Sequence, residues 1–165
     1  MIDMPPDPNV PLYTAIGVVV VQWAHVEISM DMCIHIIYHN FGGKTIIKRI
    51  PRTRLNEKIT FLSTTLNDPA LEQYKKEGLS LLDDVNTLSD HRHRIIHGAV
   101  IKMDQDIFHY TKLIYGDEFH KFDIYMYKLT DVVDYGKKIQ DLAIRFASLR
   151  DRLIKDAALQ KSGQQ

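Results

Sequence analysis

The chain has 165 residues, 45% of them apolar, which is one domain's worth with enough apolar side chains for a sizeable core. Its 21 basic residues balance its 21 acidic ones, so overall charge gives no case for nucleic-acid binding, and any such case must come from local charge. The lone cysteine, Cys33, excludes an intrachain disulfide and a cysteine-based zinc site, and it points to a reducing compartment.

Residues 1–10 carry Pro5, Pro6 and Pro8 and read as an irregular lead-in. The first Lys or Arg is Lys44, so the positive start of a signal peptide is missing, and a cytoplasmic location is expected. The longest apolar run, Ala15 to Val21, stops at Gln22, which is short for a membrane span. A long helix is predicted from about Leu12 to Tyr38, ending near Gly42 and Gly43. Ile16, Val20, Trp23, Met30 and Ile34 form one stripe; Val18, Val21, Ile28, Met32 and Ile36 form a second. A helix apolar on two sides is either central or shared with a partner.

After Pro51, a second helix is predicted over Thr53 to Leu66. Asp68 and Pro69 read as the cap and first position of a third, which runs to about Ile96 and stops at Gly98. The pattern then changes. Ala99–Met103, Asp106–Tyr115 and Phe119–Leu129 are rich in aromatic and β-branched residues, with a turn at Gly116-Asp117. Thr130 is the expected cap of a fourth long helix, and the tail from about Ala158 is expected to fray. The fold class read from this is mainly α: one domain, a bundle of about four long helices, with a small antiparallel β-meander inserted before the last.

The chemistry concentrates in Ser89-Asp90-His91-Arg92-His93-Arg94-Ile95-Ile96-His97-Gly98. At about 100° per residue, Tyr74, Leu81, Val85, Leu88, Ile95 and Ile96 all lie within roughly 60° of Arg92. An arginine on the apolar face of a helix needs a partner, because burying a lone charge is costly. The first helix offers one: Glu27 fills a slot in the stripe Ile16, Val20, Trp23, Met30, Ile34 where a core residue is expected. His97 follows Arg92 by five residues. A histidine can move a proton near neutral pH, and an arginine can hold a phosphate through its fork of donors. Together they suit RNA cleavage without a metal. Metal binding by His93 and His97, spaced four apart, is the rival reading. Arg94 between them and Arg92 beside them weigh against it, and no glutamate stands in the base position.

Arg92-His93-Arg94-Ile95-Ile96-His97 resembles the signature of the HEPN family: arginine, a polar residue, three more residues, then histidine. The long first helix and the motif at the end of a later long helix are similar too, so the resemblance covers about residues 12–157. It implies a homodimer whose two motifs form one composite ribonuclease site. It also implies cleavage that needs no cofactor or metal and leaves a 2′,3′-cyclic phosphate, in many members as a toxin in toxin–antitoxin or phage-defence systems. By position, Arg92 and His97 are catalytic and His93 is an auxiliary polar group. Some members carry a tyrosine two residues after the histidine, which an antitoxin modifies; Ala99 stands there instead. A non-catalytic HEPN-like interaction module is the alternative.

Candidate RNA contacts come from local charge. Lys44, Lys48, Arg49, Arg52, Arg54 and Lys58 face a single acid, Glu57, within their segment, and a second basic run spans Lys137 to Lys155. Arg49, Arg52, Arg54 and Arg94 are the expected RNA-binding residues. Aromatics of the strand region either stack on bases or cover a half-buried sheet.

Overall fold

The structure is a computed structural model that describes residues 9–104, 106–114 and 121–162. It is mainly helical, with a small antiparallel sheet before the last helix. The elements in order are α1 (Val10–Asn40), α2 (Gly43–Ile46), α3 (Leu55–Thr65), a 3-10 turn (Pro69–Leu71), α4 (Glu72–His97), β1 (Ala99–Asp104), β2 (Ile107–Ile114), β3 (Lys121–Lys128) and α5 (Leu129–Ser162). The turn expected at Gly116-Asp117 lies outside the described residues, as does most of the lead-in.

Three local readings change. α1 begins at Val10, inside the expected lead-in. α5 starts at Leu129, so Thr130 lies inside it and is not its cap; Asp131, in the first turn, accepts the Lys128 backbone N–H on Oδ2 at 2.9 Å, the reach-back half of a capping box. The helix also continues past Ala158 to Ser162 instead of fraying there. Asp68 is a cap as expected, but of the 3-10 turn before α4 and not of α4 itself, accepting from the Ala70 N–H at 2.9 Å.

By internal contacts the chain divides into two compact units. The first comprises the chain up to Gln22 and Thr87–Gln140. Its core holds Leu12, Ala15, Val19, Leu88, Ile95, Phe108, Tyr110, Tyr127, Val132 and Ile139. The sheet runs β1-β2-β3, both pairings antiparallel, with an irregular register between Val100 and Lys102. Phe108, Tyr110 and Tyr127 point into the core, so these aromatics cover a half-buried sheet. On the other face Phe122, Ile124 and Met126 stand open, and so do Tyr13, Val18, Val20 and Val21 of α1.

The second unit comprises Trp23–Asn86 and the chain from Asp141 onward. Trp23, Val26, Met30, Cys33, Ile34 and Ile37 bury one side of α1 here, at spacings of three and four, while Ile28 and Met32 are exposed. Buried Lys58 meets Asp31 at 2.7 and 2.9 Å. α4 and α5 are tied by Arg145 to Asp84 at 2.8 Å, by the Tyr74 hydroxyl to Asp156 and by Arg152 to Glu77. By length and composition α1 could cross a membrane, and 33% of its most apolar stretch is buried.

Candidate functional site

Arg92, His93 and His97 sit on the last turns of α4, in the first unit. The helix ends there because of what surrounds Gly98. Its N–H donates to the Arg94 carbonyl at 2.9 Å, and a side chain at this position would meet that carbonyl at 2.5 Å and the Tyr110 ring at 3.2 Å. Only glycine allows the chain to pass so close to the sheet as it turns into β1.

Arg92 is half-buried, beside the buried Leu88 and Ile95 on the face that the periodicity predicted. His93 and His97 are exposed, with ring centroids 4.7 Å apart and planes inclined by 54°. Partial burial lowers the pKa of His93 from its ordinary value, and the charges of Lys112 and Arg92 and the neighbouring His97 ring press it the same way. Neutral imidazole is therefore favoured at His93, the form that can accept a proton. Glu27, the partner anticipated for Arg92, belongs to the second unit and is half-buried; its Oε1 accepts a hydrogen bond from the Trp23 indole N–H at 3.0 Å. Among the described residues, no three of His, Cys, Asp and Glu gather as a metal-binding group.

Next to the motif stands a cluster that the sequence reading missed. The His91 ring stacks on Tyr135 at 4.3 Å, and its Nδ1 lies 3.3 Å from the Tyr127 hydroxyl. Arg94 hydrogen-bonds Tyr127 and lies 4.5 Å above the Tyr125 ring. Guanidinium can only donate, so the Tyr127 oxygen accepts from Arg94. Burial lowers the His91 pKa, with the positive charges of Arg94 and Lys138 adding to it. These partners come from α4, β3 and α5, separated by dozens of residues, and no local spacing announces them.

The anticipated RNA-binding arginines fall into two kinds. Arg94 is half-buried and engaged with the sheet. Arg49, Arg52 and Arg54 are exposed on the segment between α2 and α3, in the second unit. They line a cleft of about 750 Å³ with Thr53, Asn56 and Phe61. Arg54 reaches Glu57 at 3.8 Å, whereas Arg49 and Arg52 make no ion pair among the described residues. The other basic run is largely neutralised: Arg145, Arg150, Arg152 and Lys137 each pair with a carboxylate.

No family profile, curated protein or solved structure matches this chain.

Proposed function

We propose that this chain is a metal-independent RNA endonuclease of HEPN type. The observation that carries the reading is the end of α4, where a half-buried arginine and two exposed imidazoles 4.7 Å apart share one short segment. His97 takes the proton of a ribose 2′-OH as that oxygen attacks the adjacent phosphorus. A P–O2′ bond forms and the P–O5′ bond breaks, leaving a 2′,3′-cyclic phosphate. The leaving oxygen takes a proton from the imidazole pair or from water. Arg92 donates to the phosphoryl oxygens as charge builds on them. His93, favoured as the neutral base, supports His97. Arg49 and Arg52, in the second unit, are exposed cations of the kind that hold RNA phosphates.

The same resemblance supports a cytoplasmic homodimer with a composite site and a toxin or phage-defence role. Exposed Val20, Val21, Ile28 and Met32 on α1 are the side chains that a subunit contact would cover. The test is chemical. An RNA cut at a mapped position should resist cleavage when the nucleotide there is 2′-deoxy, because the nucleophile is gone. Continued cutting would remove this mechanism.

The second reading is a non-catalytic HEPN-like interaction module. The open apolar residues of α1, with Phe122, Ile124 and Met126 of β3, favour it. In that case His97→Ala alters nothing, and no RNA preparation yields cyclic-phosphate ends.

A further inference from the structure

Between β3 and the start of α5, in the same unit as His97, lies a cavity of about 280 Å³. Met126, Tyr127, Asp131, Asp134, Tyr135 and Lys138 line it. That volume is at the small end for ligand pockets, which run from about 300 to 1,000 Å³, and suits a single planar ring system. The Tyr135 ring is held in place by the stacked His91. Lys138 Nζ stands 5.5 Å from the Tyr135 centroid, on an exposed and flexible side chain that an incoming ring can displace. Met126, 68% exposed, supplies a polarizable apolar wall.

The polar groups narrow the ligand. Asp131 spends one oxygen on the Lys128 N–H, and Asp134 uses Oδ1 on Lys137 at 3.1 Å. Each carboxylate keeps a second oxygen able to accept. A free organic cation would find Lys138 already over the aromatic face and Lys137 beside Asp134. A neutral flat ring with N–H donors on its edge has no such conflict. Among the RNA bases, guanine alone presents two adjacent donors on its pairing edge, the ring N1–H and the exocyclic amine. A carboxylate accepts both at once.

We propose that this cavity is a base subsite that takes one unpaired guanine of the RNA, stacked on Tyr135 and paired through both oxygens of the Asp134 carboxylate, the base displacing the exposed Lys137 from Oδ1. Its wall reaches the motif directly: Tyr135 and Tyr127 both contact His91, the residue before Arg92. A guanine seated there fixes the strand relative to the cleaving histidine, so the subsite sets sequence preference. This inference rests on the nuclease reading.

The test uses the full-length His97→Ala variant, which holds RNA without cutting it. Fluorescence anisotropy compares a labelled uridine hexamer with the same hexamer carrying one central guanosine. The guanosine should tighten binding about tenfold, the scale of one stacked and paired base. Asp134 is exposed, so adding Asp134→Asn leaves the fold intact; it should bring the two hexamers to equal affinity, because the lost negative charge acts on both alike while only guanosine loses a partner. Equal binding of the two hexamers to His97→Ala, or a gain that survives Asp134→Asn, overturns the subsite. Cutting of total RNA by the wild type with no guanosine near the mapped ends does so too, and leaves the nuclease reading standing. If neither hexamer binds and the wild type cuts no RNA, both readings fall together.

Discussion

His93 and His97 lie one turn apart on α4 with ring centroids separated by 4.7 Å, close enough that His97 is among the neighbours that lower the His93 pKa. The first prediction concerns stability. The pKa values of both His91 and His93 are lowered from 6.5, by burial first and neighbouring cations next. The unfolded chain therefore binds protons more readily than the fold as the pH drops below 6.5. Stability is fully present above that value and is lost as the pH falls through the lowered folded values. The melting temperature should be lower at pH 5 than at pH 7.5, and His91→Gln with His93→Gln should shrink the difference. A double variant with an unchanged difference would assign the pH dependence to other groups.

Gly98→Ala should destabilise the chain by about 1–3 kcal/mol, the usual cost of forcing extra volume into a packed site. The added carbon meets the Arg94 carbonyl at 2.5 Å, and a backbone oxygen cannot swing away like a side-chain end. Because α4 ends here, the same substitution should also reduce RNA cleavage. Urea unfolding beside an activity assay tests both.

Asp31 and Lys58 make an ion pair in which the lysine side chain is 7% exposed and the aspartate 44%. Breaking a fully buried pair costs roughly 3–5 kcal/mol. Solvent at Asp31 lowers the expectation for Asp31→Asn to about 2 kcal/mol, with the buried ammonium left short of its counter-ion. Lys58→Met should be far milder, because the aspartate that remains can be hydrated. Equal losses from the two variants would contradict this account.

Tyr110 is 1% exposed, and its hydroxyl has no hydrogen-bond partner among the described residues. Burial pushes its pKa up to about 12. Tyr110→Phe removes an unsatisfied buried group while keeping the ring, so it should stabilise the fold by about 1 kcal/mol. A loss of stability would indicate that the hydroxyl is satisfied in solution.

Much of this was legible in the sequence because it is local. The periodicity around Arg92 located the apolar face of α4 and Gly98 marked its end, while Asp68-Pro69 marked the 3-10 turn that precedes it. The shift to aromatic and β-branched residues after Gly98 marked the strands. Legibility stopped where contacts became long-range. Which aromatics are core and which are open depends on strand pairing, so Tyr127 is buried and Phe122 is not. The cluster of His91, Tyr127 and Tyr135 joins three elements, and nothing in the spacing of these residues links them. Glu27 also has a local partner that its slot in the core stripe did not announce: its Oε1 accepts from the indole N–H of Trp23, four residues earlier on the same helix. The cap of α5 was misplaced because the helix starts at Leu129, one residue before Thr130, and the reach-back from Asp131 depends on the local backbone.

The measurement that tests the central claim most directly is cleavage of total RNA in EDTA by the wild type, Arg92→Ala and His97→Ala, with the 3′ ends identified chemically. His97 is exposed, so its removal should change stability by less than about 0.5 kcal/mol and leave a folded protein. The account predicts fragments with 2′,3′-cyclic phosphate ends from the wild type and none from either folded variant. Cleavage by folded His97→Ala at the wild-type rate, or wild-type cleavage that EDTA abolishes, would contradict it.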